Sequence, residues 1–177
     1  MADDTKPPGP LTDLIKDAQD GNLTVTFGGG GQGADAVRVN ADEFVYIDRD
    51  CDAFKEEIRA LQILAQRISD RNPWGLGETT DGLTSASALV GRFRGKAKIV
   101  DGAKDGSNNV YDILEQHYQI VDEIQTLHRT IAQKFIETDQ AFAAEYNKLM
   151  ADKPPSQIGT TLVQPGVTAP PAVGAPK

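Results

Sequence analysis

Arg71-Asn72-Pro73-Trp74-Gly75-Leu76-Gly77 separates two long stretches of helical periodicity, and its reading decides the fold. Proline has no N–H to donate and clashes with a preceding helical turn, so the first helix stops before Pro73. Gly75 and Gly77 supply the left-handed backbone that a reversal needs. Trp74 is the only tryptophan, and it sits in the bend. This layout predicts a helical hairpin with an aromatic at its tip.

Upstream of the bend, Asn40 is placed to cap a helix, with Glu43 three residues on in a capping-box arrangement. From there Phe44, Ile47, Cys51, Phe54, Ile58, Leu61, Ala65 and Ile68 recur in steps of three and four, a heptad seam. Asp42, Asp48, Arg49, Lys55, Glu56 and Arg59 fall on the other side. Residues 41–71 make a rod of roughly 45 Å at about 1.5 Å per residue.

Downstream, Leu83, Ala86, Val90, Phe93, Ala97 and Val100 form a second seam. A third runs through Val110, Ile113, His117, Ile120, Ile124, Leu127, Ile131, Phe135, Thr138, Phe142, Tyr146 and Leu149. Residues 101–109 lie between the two. They read either as a loop, with Ser107 or Asn108 capping a separate helix, or as part of one helix over 83–150. The favoured expectation is the continuous helix, with a weak or kinked point near 102–107. The fold class is all-α: an antiparallel helical hairpin with a long second helix, kinked or broken near 102–107, and a small N-terminal extension. A three-helix bundle that satisfies itself is the plainer alternative.

On the continuous-helix reading the second arm outruns the first, and its distal half, from Val110 to Leu149, lacks an intramolecular partner except the N-terminal segment. An apolar line there, Tyr111, Leu114, Tyr118, Val121, Ile124, Leu127 and Ile131, is expected to dock a partner helix. Residues 1–40 form the extension, with a short helix over 11–19 and a two-stranded ribbon over 22–27 and 37–39. Residues 41–150 are the hairpin or bundle. Residues 151–177 hold six of the ten prolines and read as a disordered tail rich in Pro, Ala and Gly.

A net charge of −8 argues against nucleic-acid binding by the surface as a whole. A single cysteine rules out an internal disulfide. The N-terminal residues lack the basic start and apolar core of a cleaved signal, which leaves a cytoplasmic protein or one exported by another route. No apolar run approaches the ~18 residues of a membrane helix.

Candidate chemistry is sparse. Gly28-Gly29-Gly30-Gly31-Gln32-Gly33 contains the letters of a dinucleotide loop, but strand-like residues follow it instead of a helix. His117 and His128 stand about 16 Å apart along one helix and cannot share a metal. Cys51 falls on a seam among Asp48, Asp50 and Asp52, a setting that disfavours its thiolate. Arg92, Arg94, Lys96, Lys98 and Lys104 form a basic cluster. Pairing with acids of the first helix, together with solvation, is its plainer reading. Contact with an anionic lipid, a nucleic acid or an acidic partner is the sharper one. No catalytic residue, metal site or cofactor is assigned, and the chain reads as a non-enzyme.

Trp74-Gly75-Leu76-Gly77 at a helical bend, with an aromatic–x3–acid pattern further on, resembles the WxG helical-hairpin family of type VII (ESX) secretion substrates. It looks like the longer accessory members found in actinobacteria. The likeness covers roughly residues 40–145. Where the family has Trp-any-Gly, residue 76 is Leu and the second glycine is Gly77. The resemblance implies a small helical hairpin that pairs, often as a dimer, and is exported without a cleaved signal. It implies an export signal of the form Tyr-x3-Asp/Glu. Tyr111 with Glu115 and Tyr118 with Asp122 fit the letters inside the helix. Phe135 with Asp139 is nearer the family's position, with Phe in place of Tyr.

The function expected from these readings is export by, or service to, a type VII-like secretion system. The partners are a second copy or another helical hairpin, and the secretion machinery. The alternatives are a cytosolic helical scaffold and a peripheral binder acting through residues 92–98.

Overall fold

The computed structural model describes residues 8–23, 39–100, 106 and 108–159. The described residues are all-α. Five helices follow in order: α1 (Thr12–Gln19), α2 (Ala41–Asp70), α3 (Thr84–Ala97), α4 (Val110–Thr138) and α5 (Gln140–Ala151). The strand ribbon was expected at 22–27 and 37–39, and most of it falls outside the described residues, as does the glycine cluster 28–33.

α2 begins where the Asn40 carboxamide accepts the Asp42 N–H at 3.1 Å, and Asp42 and Glu43 set negative charge against the helix N-terminus. It ends before Pro73, with Arg71 already extended. The helix expected to run continuously from 83 to 150 is broken. α3 stops at Ala97, and Lys98 is extended. α4 starts afresh after Asn109, whose side chain accepts the Asp112 N–H at 2.9 Å and donates to the Asp112 carboxylate at 2.7 Å. Asn109 is fully buried. A buried amide that satisfies the first turn of α4 favours a fresh start over carrying glycines through a helix interior.

A second break has no glycine or proline to announce it. The Asp139 N–H closes α4 on the Phe135 carbonyl, while its carboxylate accepts the N–H groups of Ala141 and Phe142 at the start of α5. The chain folds back there. Phe142 meets Phe135, seven residues earlier, with ring centroids 5.5 Å apart.

α2 and α4 run antiparallel. Asp48 faces Gln125 and Arg129, Lys55 faces Asp122, and Arg59 faces Glu115. α5 returns in the direction of α2, with Phe142 against Phe44 and then Lys153 against Asp48. α1 lies on α4, where the Leu11 N–H donates to Glu123 at 2.9 Å. The distal half of the chain is therefore the principal partner of α2, where only the N-terminal segment was expected to cover that half, and that segment packs on α4 as well.

The apolar core gathers at the N-terminal end of α2. Ala41, Ala132 and Phe142 are buried, with Phe44, Phe135, Ile136, Tyr146 and Leu149 packed around them. Phe44 lies edge-on to both Phe135 and Phe142. Beyond this core, Asp48, Gln62, Ser69, Asn109 and Gln125 are the buried polar residues among those described.

The segment after α5, expected to be free, packs on α2 over its first residues. Arg49 donates to the Pro154 carbonyl at 3.5 Å and Ser156 to Asp50 at 2.7 Å. The tail from 160 onward lies outside the described residues.

Candidate partner-binding surface

Which face of each helix turns inward differs from the seams read in the sequence. On α2 the buried line is Val45, Asp48, Cys51, Ile58, Gln62, Ala65 and Ser69. Phe54, Leu61 and Ile68, expected in the seam, are exposed. The cause is polar pairing between α2 and α4. Gln125 donates to both the carbonyl and the carboxylate of Asp48, and also to Asp52. Arg129 donates to Asp48, and Lys153 reaches it at 3.5 Å. Gln62 donates to the Tyr111 carbonyl at 3.2 Å and to Glu115 at 3.0 Å. These residues occupy interior positions that a hydrophobic pattern assigns to solvent.

α4 shows the same exchange. The proposed partner stripe, Tyr111, Leu114, Tyr118, Val121, Ile124, Leu127 and Ile131, is half-buried throughout. Arg59 lies over the Tyr118 ring at 3.8 Å, and Lys98 over the Tyr111 ring at 4.3 Å. The line facing outward near the start of α4 is instead Val110, Ile113 and Ile120. His117, expected in the packed seam, is exposed with them. His128 is the packed histidine: its Nδ1 sits 2.8 Å from the Ile124 carbonyl and its ring lies against Phe44.

These exchanges leave apolar surface at the end of the molecule near the bend. Leu61, Leu64, Ala65 and Ile68 of α2, Ala97 of α3, and Val110 and Leu114 of α4 line a groove of about 170 Å³. Leu64 and Val110 are 51% and 50% exposed on its walls. α3 is short and packs against both α2 and α4. Arg94 ties it to α2 by donating to the Ser69 carbonyl at 2.6 Å.

The bend itself is rigidly held. Gly75 and Gly77 have φ of +80° and +86°, where a side chain is strained. The Glu78 carboxylate accepts the N–H groups of Trp74, Gly75 and Leu76. The backbone N–H of Glu78 itself, and then those three bonds, hold the Glu78 carboxyl below its usual range. Trp74 stacks on Phe93 with centroids 5.7 Å apart and planes 15° from parallel, and Arg71 covers the indole at 5.7 Å. The Trp74 Nε1 is buried without a hydrogen-bond partner among the described residues.

The export-signal candidates all have structural contacts. Phe135 packs in the aromatic core, and Asp139 caps α5. Tyr118 lies under Arg59, and Asp122 accepts from Lys55 at 3.0 Å. Glu115 accepts from Arg59 and Gln62; these bonds hold its carboxyl below the usual range.

Burial pushes the Cys51 thiol upward, and the nearby Asp48 carboxylate adds to the effect, so thiolate is disfavoured. Burial would raise the Asp48 carboxyl, but Arg129, Gln125 and Lys153 together bring it below its ordinary value. Among the described residues no group of His, Cys, Asp and Glu is arranged to hold a metal ion. The basic cluster does not pair with the acids of α2 among the described residues. Arg94 and Lys96 donate to backbone carbonyls and Lys98 to Gln66. Lys104 lies outside the described residues.

Comparison with protein-family models, with curated proteins and with solved structures finds no match to this chain.

Proposed function

We propose that this chain is a non-enzymatic helical protein that acts by helix–helix pairing, as a substrate or accessory of a type VII-like secretion system. One observation carries the pairing: the groove walled by Leu61, Leu64, Ile68 and Val110 at the bend end of the bundle. These side chains are 38–51% exposed, and covering each contributes roughly 1 kcal/mol by its apolar area. The spacing 61, 64, 68 supplies the anchors by which a partner helix is read in a groove. The partner is a second copy or another helical hairpin.

The link to secretion rests on the resemblance of the Trp74 bend and on the aromatic–x3–acid pairs. Phe135 and Asp139 remain the proposed signal. Their structural contacts dictate the form of the test. Asp139→Asn keeps a good N-cap while removing the charge, so it separates signal from stability. The experiment is immunoblotting of culture medium from the native host with its secretion system active. The wild-type chain is expected in the medium and Asp139→Asn in the cells only. Wild-type protein confined to the cells would sink the export reading and favour a scaffold that stays inside.

A further inference from the structure

α3 concentrates positive charge in an acidic protein. Residues 71–98 hold five cations against two carboxylates in a chain of net charge −8, and α3 itself has no acid. Ala86, Val90, Gly95 and Ala97 are buried against the bundle. At about 100° per residue, Leu89, Arg92, Phe93 and Lys96 share one arc of about 100°, bordered on one side by the Ala86, Ala97 and Val90 line and on the other by Gly95. All four are exposed, Leu89 and Phe93 at 45% and 47%. Among the described residues Arg92 makes no ion pair, and Lys96 donates to the Asn108 carbonyl at 3.2 Å. Phe93 is backed by the stacked Trp74, which fixes the ring at the surface.

We propose that this face of α3 docks on an anionic lipid bilayer. Arg92 and Lys96 meet headgroup phosphates, and Leu89 and Phe93 enter the boundary with the acyl chains. Charge complementarity combined with depth favours a bilayer. An acidic polypeptide would be met by the cations alone. Aliphatic and aromatic groups set among long cationic stems match a surface that is anionic outside and apolar just beneath. The proposal is independent of the groove, which uses the buried side of α3.

The test is flotation of the full chain with phosphatidylcholine vesicles, with and without roughly 30% phosphatidylserine, followed by Trp74 emission. The chain is expected to float with anionic vesicles only, with a blue shift, and to be released at about 0.5 M salt. Arg92→Gln with Lys96→Gln is expected to weaken binding at least about tenfold. Both side chains are exposed, and circular dichroism checks that the helices persist. Leu89→Ser should also weaken binding, while the groove variant Leu64→Glu should float as wild type. No flotation at low salt would overturn the proposal. So would binding unchanged in the folded double-glutamine variant, or displacement of the chain from vesicles by polyglutamate at matched charge.

Discussion

The carboxamide of Gln125 donates to Asp48 twice, to its backbone carbonyl and to its carboxylate, each at 3.0 Å. Both residues are almost wholly buried, and they join the first third of α2 to the middle of α4. A bidentate contact of this kind sets the register of two long helices more sharply than interchangeable aliphatic contacts do. Gln125→Leu is therefore expected to cost about 2 kcal/mol, because Asp48 loses a donor while staying buried. Urea denaturation checks it. A change within about 0.5 kcal/mol, the range of ordinary surface substitutions, would show that the pair does not hold the register.

Asp48, Asp50 and Glu115 all have carboxyls held below their ordinary values by cations and hydrogen-bond donors. A carboxyl depressed in the folded state contributes stability that is fully present above its unfolded pKa, near 4. That stability is lost as the pH falls through the folded value. The chain is expected to hold constant stability from about pH 7 to 5 and to weaken below about pH 4. Asp48→Asn should flatten the acid limb. Thermal melts across that range read the effect, and an acid limb unchanged in Asp48→Asn would remove Asp48 as its main source.

The two helix starts at Asn109 and Asp139 make a paired prediction. Asn109→Ala and Asp139→Ala should each cost about 1 kcal/mol, since each side chain caps a first turn. The Asn109 loss should be the larger, because its amide is buried and also bonds Asp112 and Gly106. Asp139→Asn should cost only a few tenths of that. Equal losses for Asp139→Ala and Asp139→Asn would mean that its charge, and not the cap, matters for folding.

Much of the fold is legible in the residues. Asn40 and Pro73 bracket α2 because capping and ring sterics act locally. The bend at Trp74 follows from glycines whose backbone few other residues adopt. The inward faces were not legible in the same way. Asp48, Gln62 and Gln125 look like solvent-facing positions, and only their long-range partners make burial favourable. Periodicity therefore places Phe54 and Leu61 inside, where the structure leaves them exposed, and the Tyr111–Tyr118 line outside, where the structure leaves it half-buried. The reversal at Asp139 escaped because an aspartate between two apolar runs resembles an exposed helical position. The signal was present in Asp139 itself, a favoured N-cap. The groove followed from these inversions and had no mark of its own in the sequence.

Phe93 and Trp74 supply a further check on the bend. Phe93→Ala should remove the stacked face of the indole and cost about 1 kcal/mol of aromatic contact beyond its lost area. Trp74 emission should shift to the red as the ring becomes wetter. Emission identical to wild type would mean that the indole is positioned by Arg71 and the loop alone.

The central claim is that the groove at the bend end is covered by a partner helix in the cell. Sedimentation of the tagged chain in a lysate of its own host measures this directly, beside Leu64→Glu with Val110→Glu. The wild type is expected to sediment as an assembly heavier than the 19.0 kDa monomer, and the folded double variant as a monomer. A wild-type chain that sediments as a monomer, or an assembly unaffected by the two charges, would contradict the account.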